Sequence, residues 1–493
     1  MAATVVLLAG PFALAFFAGG YFDGPRAVAA VVAWALVLVM ALVGPLALPA
    51  STSGRVALTG LVGLAVWSAI SIAWAPVPGP VSDNVQRLLL YVAVLLLAIA
   101  LLRDRRAARA VEPVLALGSA IVIGYGLSGR LLPGLIHLHR SAGAFNRLEQ
   151  PITYWNAEGL LAAIGLVLCV RLAGDHSRPA WLRVGAAAGC APLGAGVYLS
   201  YSRGAIAAAA LGLVVLLAAD PRRPQLRALV MGLLTAVFAA SGSAALRGVA
   251  VLQGGRAEQE RDGAILLALL LAAMVVAGLS TARVIRAESR GVRGLGLVPF
   301  ARRLPLVAAA VALLCLAGVV VGGLKERGGR SGQLGSTASR LASLKSLRYE
   351  YWRIGLQGFE GHPLRGTGSG GFRVLWLKHR RVAQGVNDVH SLELEMASEL
   401  GIPGLLFLAL FLGGITAAAR RALRVGLLAP AACAASTVWL LHASIDWDWE
   451  VPAVTLPVIV LAGGLLALSE QSPAPHARVP AEALAHHADP AGD

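Results

Sequence analysis

His390 is the residue best placed to do chemistry in this chain. It stands in DVHSLELEMASELGIPG, where a short helical stretch runs straight into an apolar one. An imidazole at such a junction sits at a membrane surface, and its ordinary pKa near neutrality lets it take the proton of an acceptor hydroxyl. Glu393, one turn on, has the spacing to orient the ring. A histidine that only hydrogen-bonds in a polar rim fits the same place, so both roles stay open. Three arginines close to apolar helix ends supply a second chemistry: Arg147 in SAGAFNRLEQPITYWNAEG, Arg203 in SYSRGAIA and Arg348 in SLRYEYW. A guanidinium keeps its charge and reaches two oxygens at once, which suits a diphosphate, although snorkelling to lipid headgroups uses the same placement. Arg353 and Arg365, in the same polar segment as Arg348, join Arg147 as candidate substrate-binding residues.

Other groups are less pointed. The run RGTGSGGF, from Arg365 to Phe372, can bring backbone N–H groups close to a phosphate or form a plain flexible turn. It lacks the Gly-Lys-Ser/Thr of a Walker loop and the strand-helix context of a dinucleotide fingerprint. Asp446, Asp448 and Glu450, in HASIDWDWEVP, resemble a divalent-metal cluster, while the tryptophans between them equally suit an interfacial belt. Cys169, Cys190, Cys315 and Cys433 fall inside apolar stretches without ligand spacing, which indicates neither a disulfide framework nor zinc. His476, His486 and His487 lie in a Pro- and Ala-rich tail without metal-site spacing.

What must hold these residues is a membrane scaffold. With 493 residues, 57% of them hydrophobic and 14% charged, and a mean hydropathy of +0.73, the chain is too apolar for a soluble domain. Its formal net charge of +16 does not point to nucleic acid, because the arginines are scattered over many short loops rather than gathered on one face. Membrane lipids are the better partner. The apolar stretches predict an all-α, polytopic protein of about 12–14 transmembrane helices. The spans lie near residues 4–21, 27–48, 56–75, 88–102, 111–129, 154–172, 184–201, 204–219, 228–246, 264–282, 305–324, 399–419, 425–443 and 452–468. The organisation is then membrane helices over 1–324, a long extracytoplasmic loop with an amphipathic helix over 325–398, further membrane helices over 399–468 and a disordered cytoplasmic tail over 469–493. The first span lacks a basic leader and reads as an uncleaved helix.

Orientation follows from the arginines. One side collects Arg103, Arg105, Arg106 and Arg109, then Arg171, Arg178 and Arg183, then Arg222, Arg223 and Arg227, then Arg283 to Arg303, then Arg420, Arg421 and Arg424, and is predicted to be cytoplasmic. Arg203 stands on the other side, in a turn of a few residues where short loops otherwise avoid basic residues. From Thr337 to Phe359 the apolar positions Leu341, Leu344, Leu347, Tyr351 and Ile354 recur at three or four, which predicts an amphipathic helix on the outer face, ending near Gly358 to Pro363.

Taken together, Arg348 to Trp352, Gly361-His362-Pro363-Leu364, Gly366-Thr367-Gly368, Phe372, His390 and Glu399-Leu400-Gly401-Ile402-Pro403-Gly404-Leu405 resemble the signature region of the O-antigen ligase and O-antigen polymerase superfamily. Ser202-Arg203-Gly204 resembles that family's short Ser-Arg-Gly motif. The resemblance implies a glycosyltransferase that takes a glycan from a polyprenyl diphosphate and passes it to a glycan or lipid-glycan acceptor outside the cytoplasmic membrane, with no metal and no other cofactor. It implies that His390 is the general base or acceptor positioner and that Arg203 and Arg348 contact the diphosphate. Arg147 occupies a comparable outer loop, although NRLEQPITYWN departs from the Gly- and Asn-rich sequence of many members. Two rivals remain. A metal-dependent polyprenyl-phosphate glycosyltransferase would use Asp23 or the Asp446/Asp448/Glu450 cluster. A lipid-linked oligosaccharide flippase would bind the diphosphate only in passage, but should carry paired ionisable groups at mid-membrane, where Glu158 alone stands out.

Overall fold

Runs of Leu, Ala and Val can lie in hydrocarbon only if their backbone amides bond within the segment, so each apolar stretch becomes a helix. The computed structural model describes residues 1–44, 48–290, 346–424 and 428–471. Among them every regular element is helical: α1 (Ala2–Ala15), α2 (Asp23–Val43), α3 (Thr52–Ile70), α4 (Pro78–Leu101), α5 (Arg105–Leu131), α6 (Trp155–Gly174), α7 (Ala180–Leu199), α8 (Arg203–Ala219), α9 (Arg223–Ala245), the single turn α10 (Arg247–Ala250), α11 (Arg256–Ser289), α12 (Arg348–Gly361), α13 (Phe372–His379), α14 (Leu392–Ala422), α15 (Ala429–Ala443) and α16 (Pro452–Ser469). Ten of these are long and apolar enough to cross a bilayer, and α1 and α8 are apolar but shorter. The chain is an all-helical, polytopic membrane protein.

The expected spans fall on these helices, apart from 305–324. That span lies outside the described residues, with Cys315, residues 325–345 of the polar segment and the tail from 472. Where bounds differ, a local cause is visible. The first helix stops at Ala15 because Gly19 and Gly20, at φ +67° and +74°, turn the chain. Within Leu392–Ala422 two helical stretches meet at Gly401, whose φ of +66° breaks the helix, so the short stretch after His390, capped where Ser391 accepts from the Leu394 N–H at 3.5 Å, leads into the span expected from 399. Ser51, Asp104 and Ser202 cap α3, α5 and α8 in the same way, each such cap being worth about 1 kcal/mol.

Contacts between the loops mark two ends of the described bundle. At one end, Arg103 bonds Glu470 at 2.7 Å, Arg109 donates to the Ser177 carbonyl at 2.8 Å, and Arg183 and Arg227 share Glu288. Below them Arg171, fully buried, pairs with Asp175 at 3.4 Å and Asp220 at 3.3 Å, while Arg178 reaches the buried Glu112 at 2.6 Å. Arg171, Arg178 and Arg183, counted from sequence as loop charges, are therefore ion-paired staples between helices. Removing one partner of such a buried pair costs about 3–5 kcal/mol. They also correct the expectation that Glu158 is the lone ionisable group among the spans.

The other end carries α12 and α13, whose apolar faces bury Tyr351, Ile354, Phe372 and Trp376 against Val386 and Val389. The described part of the predicted amphipathic helix is α12, and it ends at Gly361 within the predicted stop. The glycine run between α12 and α13 grips the chain itself. Gly366, Gly368 and Gly370 all take positive φ, and the N–H groups of Gly370 and Phe372 donate to the Glu399 carboxylate at 2.6 and 3.1 Å. Gly368 donates to the Glu399 carbonyl at 2.9 Å. Neither a phosphate cradle nor a flexible turn describes it: the loop is an anchor for the start of α14, made of glycine because a side chain at 370 would lie 2.2 Å from Pro80.

Candidate active site

At the α12 end, six segments far apart in sequence, Tyr21 among them, close around a cleft of ≈ 320 Å³. The 142–154 loop and the start of α6 contribute Arg147, Tyr154, Trp155 and Asn156; the α7–α8 turn contributes Tyr201, Ser202 and Arg203. Arg348 and Tyr351 come from α12, Gln384 to His390 from the connection into α14, and Trp447 from the turn before α16. The N-termini of both α6 and α8 meet the cleft, and their aligned dipoles add positive potential to that of the arginines.

Each cation is held differently. Arg147 is buried, donates through Nε to the Ala144 carbonyl at 2.8 Å, and lies 3.7 Å over the ring of Trp155. Arg348, one-fifth exposed, is paired to the fully buried Asp446. Asp446 also accepts from the Tyr154 hydroxyl at 2.6 Å and from the Trp447 N–H at 3.0 Å. Burial is the strongest single influence and works against ionising Asp446, but Arg348, His390, His442 and the Tyr154 hydroxyl together outweigh it and hold the carboxyl below its usual range. Arg203 is half-buried in the first turn of α8.

His390 has a left-handed backbone, φ +60°, and its Nδ1 lies 2.9 Å from the Asp388 carbonyl. A carbonyl only accepts, so Nδ1 carries the proton and the lone pair is on Nε2. Burial, with Arg348 nearby, lowers the imidazole to about 4 despite Asp446, so it is neutral at neutral pH. Tyr351 packs against the ring with centroids 4.9 Å apart, and Trp352 ties the His390 carbonyl at 3.0 Å. Glu393, expected to orient the ring, instead accepts from Ser391 at 3.3 Å and from Ser444 at 2.8 Å. The left-handed residue turns the imidazole out of line with the helix that follows, which breaks the assumed one-turn spacing.

Arg147, Arg203, Arg348 and His390 thus share one cleft, and Arg353 and Arg365 do not line it. Arg353 forms a fork with Glu350, at 2.9 and 2.6 Å, and Arg365 is exposed. The three carboxylates of DWDWE diverge: Asp446 holds Arg348, Asp448 holds His442 and Glu450 holds Arg87. A different carboxylate group forms beside the cleft, in a chamber of ≈ 300 Å³ that shares Tyr21, Asn387 and Asp388 with it. There, oxygens of Asp388, Glu395 and Glu450 come within 4.8 Å of one another, close enough to hold a divalent ion. Burial, then Glu450 and Glu399, push Asp388 well above the usual carboxylate range. Asp23 lines the same chamber. Sequence reasoning passed over Ser202 and His442, which bond each other at 3.2 Å; the only sequence signal was the serine of the Ser-Arg-Gly motif.

Fold and cleft together define a membrane protein with a cationic, histidine-bearing pocket at one end of its helix bundle. Residues 188–409 match the family model described as O-antigen ligase (Wzy_C), so the chain carries an O-antigen ligase family domain there. The match takes in Arg203, Arg348 and His390, whereas Arg147, His442 and Asp446 lie beyond it. The family performs ligase- or polymerase-type glycan transfer in polysaccharide biosynthesis, on lipid-linked glycans. No curated protein matches the chain.

Proposed function

We propose that this cleft transfers a glycan from a polyprenyl diphosphate to an acceptor hydroxyl, on the extracytoplasmic side of the membrane and without a metal ion. The observation that carries the reading is the convergence of Arg147, Arg203 and Arg348 with a neutral His390 at the meeting point of two helix N-termini. As the glycosidic C1–O bond breaks, negative charge grows on the leaving diphosphate, and preorganised guanidiniums stabilise it without having to reorganise. The acceptor oxygen bonds to C1 from the opposite face and gives its proton to Nε2 of His390. A single displacement of this kind inverts the anomeric centre. The sidedness rests on the basic loops at the opposite end, which by charge belong in the cytoplasm.

The test is purified protein in detergent, supplied with a lipid-diphosphate oligosaccharide and a series of acceptors, with products weighed by mass spectrometry. Transfer that survives EDTA supports the reading. The Asp388/Glu395/Glu450 group favours a second one, in which a divalent ion stabilises the leaving group. Activity that vanishes in EDTA, returns with Mg²⁺ or Mn²⁺ and survives His390→Ala would establish that alternative. Donor translocation with no product from any acceptor would favour a transporter.

A further inference from the structure

Ser202 lines the cleft next to Arg203 yet is itself buried, and behind it runs a chain of hydrogen bonds. Its Oγ lies 3.2 Å from Nε2 of His442, whose Nδ1 lies 2.5 Å from Oδ2 of Asp448. Both His442 and Asp448 are fully buried, and Oδ1 of Asp448 has no hydrogen-bond partner among the described residues. The imidazole is thus the carboxylate's hydrogen-bonding group. Three elements supply this chain: the cap of α8, the last turn of α15 and the turn before α16. Gly204 leaves room for it, since a side-chain carbon there would lie 3.0 Å from Cδ2 and 3.1 Å from Nε2 of His442.

We propose that Ser202 is a catalytic residue that donates a hydrogen bond to the leaving diphosphate, aimed into the cleft by the His442–Asp448 pair. The inference rests on the transfer reading above. A serine oxygen has two lone pairs and one proton. The Ala205 N–H already donates to Oγ at 3.2 Å. When Asp448 holds His442 as imidazolium, Nε2–H fills the second lone pair, and the serine O–H has nowhere to point but the cleft. If Nε2 were bare, the O–H would turn back to the ring. The ion pair is neutral as a whole, so it can sit buried while it sets the direction of the serine proton. During transfer, the acceptor oxygen bonds to C1, the C1–O bond to phosphate breaks and the acceptor proton passes to His390. Ser202 keeps its proton and shares it by hydrogen bond with the oxygen on which charge appears. His442 and Asp448 are positioning residues.

The Ser-Arg-Gly motif then has a physical division of labour: a donor, a cation and clearance for the imidazole. The experiment uses the full chain in detergent with a polyprenyl-diphosphate oligosaccharide and an acceptor that the parent protein glycosylates. Ser202→Gly keeps an adequate helix cap and removes the hydroxyl. It should lower kcat by about a hundredfold, as loss of one oxyanion donor does, with donor KM within about threefold. Ser202→Thr, which keeps both cap and hydroxyl, should recover most of that loss. His442→Gln should lower kcat by about tenfold at unchanged donor KM, which a merely structural role would not confine to kcat. Should the glycine variant not fold, Ser202→Ala at equal donor binding makes the same comparison. Parental kcat in the hydroxyl-free variant, or equal losses in the Gly and Thr variants, overturns the proposal; parental kcat in His442→Gln overturns the relay. A parent protein that transfers nothing from any lipid-diphosphate donor instead overturns the transfer reading itself.

Discussion

Asp446 joins Arg348 to Tyr154: one carboxylate oxygen is paired with the guanidinium and the other accepts the tyrosine hydroxyl at 2.6 Å. The residue that from sequence resembled a metal ligand is thus a bracket between α12 and the loop before α6. Asp446→Asn should therefore cost activity through the placement of Arg348. We expect a loss of about tenfold or more, and a double mutant with Arg348→Lys no worse than about twice the stronger single change, because the two act as a unit. Full additivity in a double-mutant cycle on kcat/KM would separate their roles.

Arg203 depends on fork geometry as well as charge. Arg203→Lys should lose most of its transfer activity, whereas Arg420→Lys, at the opposite end of the bundle, should match the parent. Steady-state rates at equal protein levels decide it, and near-full activity in the lysine variant would leave only headgroup snorkelling for Arg203.

His390 acts as a base in its neutral form, and its lowered pKa keeps that form dominant as pH falls. The profile of kcat/KM, which reports the free enzyme, should therefore stay level below 6.5 and fall only as pH approaches about 4. Bound diphosphate adds negative charge nearby and favours imidazolium, so the acid limb of kcat should lie at higher pH than that of kcat/KM. His390→Ala should slow transfer by about a hundredfold or more while donor binding persists. An acid limb at 6.5 in kcat/KM, absent from the alanine variant, would show that the imidazole is not shifted.

The glycine run should matter for stability. Gly370→Ala places a side chain against Pro80 at a positive φ, and Glu399→Gln weakens two charge-assisted bonds from the loop. Each should destabilise the protein by about 1–3 kcal/mol, read as a lower Tm in detergent. A phosphate-binding loop would behave differently, losing donor affinity at unchanged Tm.

Sidedness is open to direct labelling. In a cysteine-free background, a cysteine at Gly385, exposed at the cleft end, should react with an impermeant thiol reagent in intact cells, and one at Arg106, exposed at the opposite end, should not. Labelling at Arg106 alone would put the cleft in the cytoplasm.

Hydropathy and arginine placement were enough to read an all-helical membrane protein with basic loops sharing one end, because hydrocarbon forces local backbone pairing and apolar runs are visible residue by residue. Arg147, Arg203, Arg348 and His390 stood out for the same reason: charged or titratable groups at the ends of apolar helices are rare. Contacts across the bundle were not legible. Only packing decided that Arg348, 98 residues from Asp446, would pair with it, or that Ser202 would meet His442 across 240 residues. Glu393 was misjudged because a left-handed backbone at His390 breaks the helical spacing, and the glycine run because its N–H groups found an internal carboxylate at Glu399. Periodicity encodes which face of a helix is apolar, but which polar side chains share a cavity depends on how the helices cross, and that is set by the summed fit of many small contacts along their whole length.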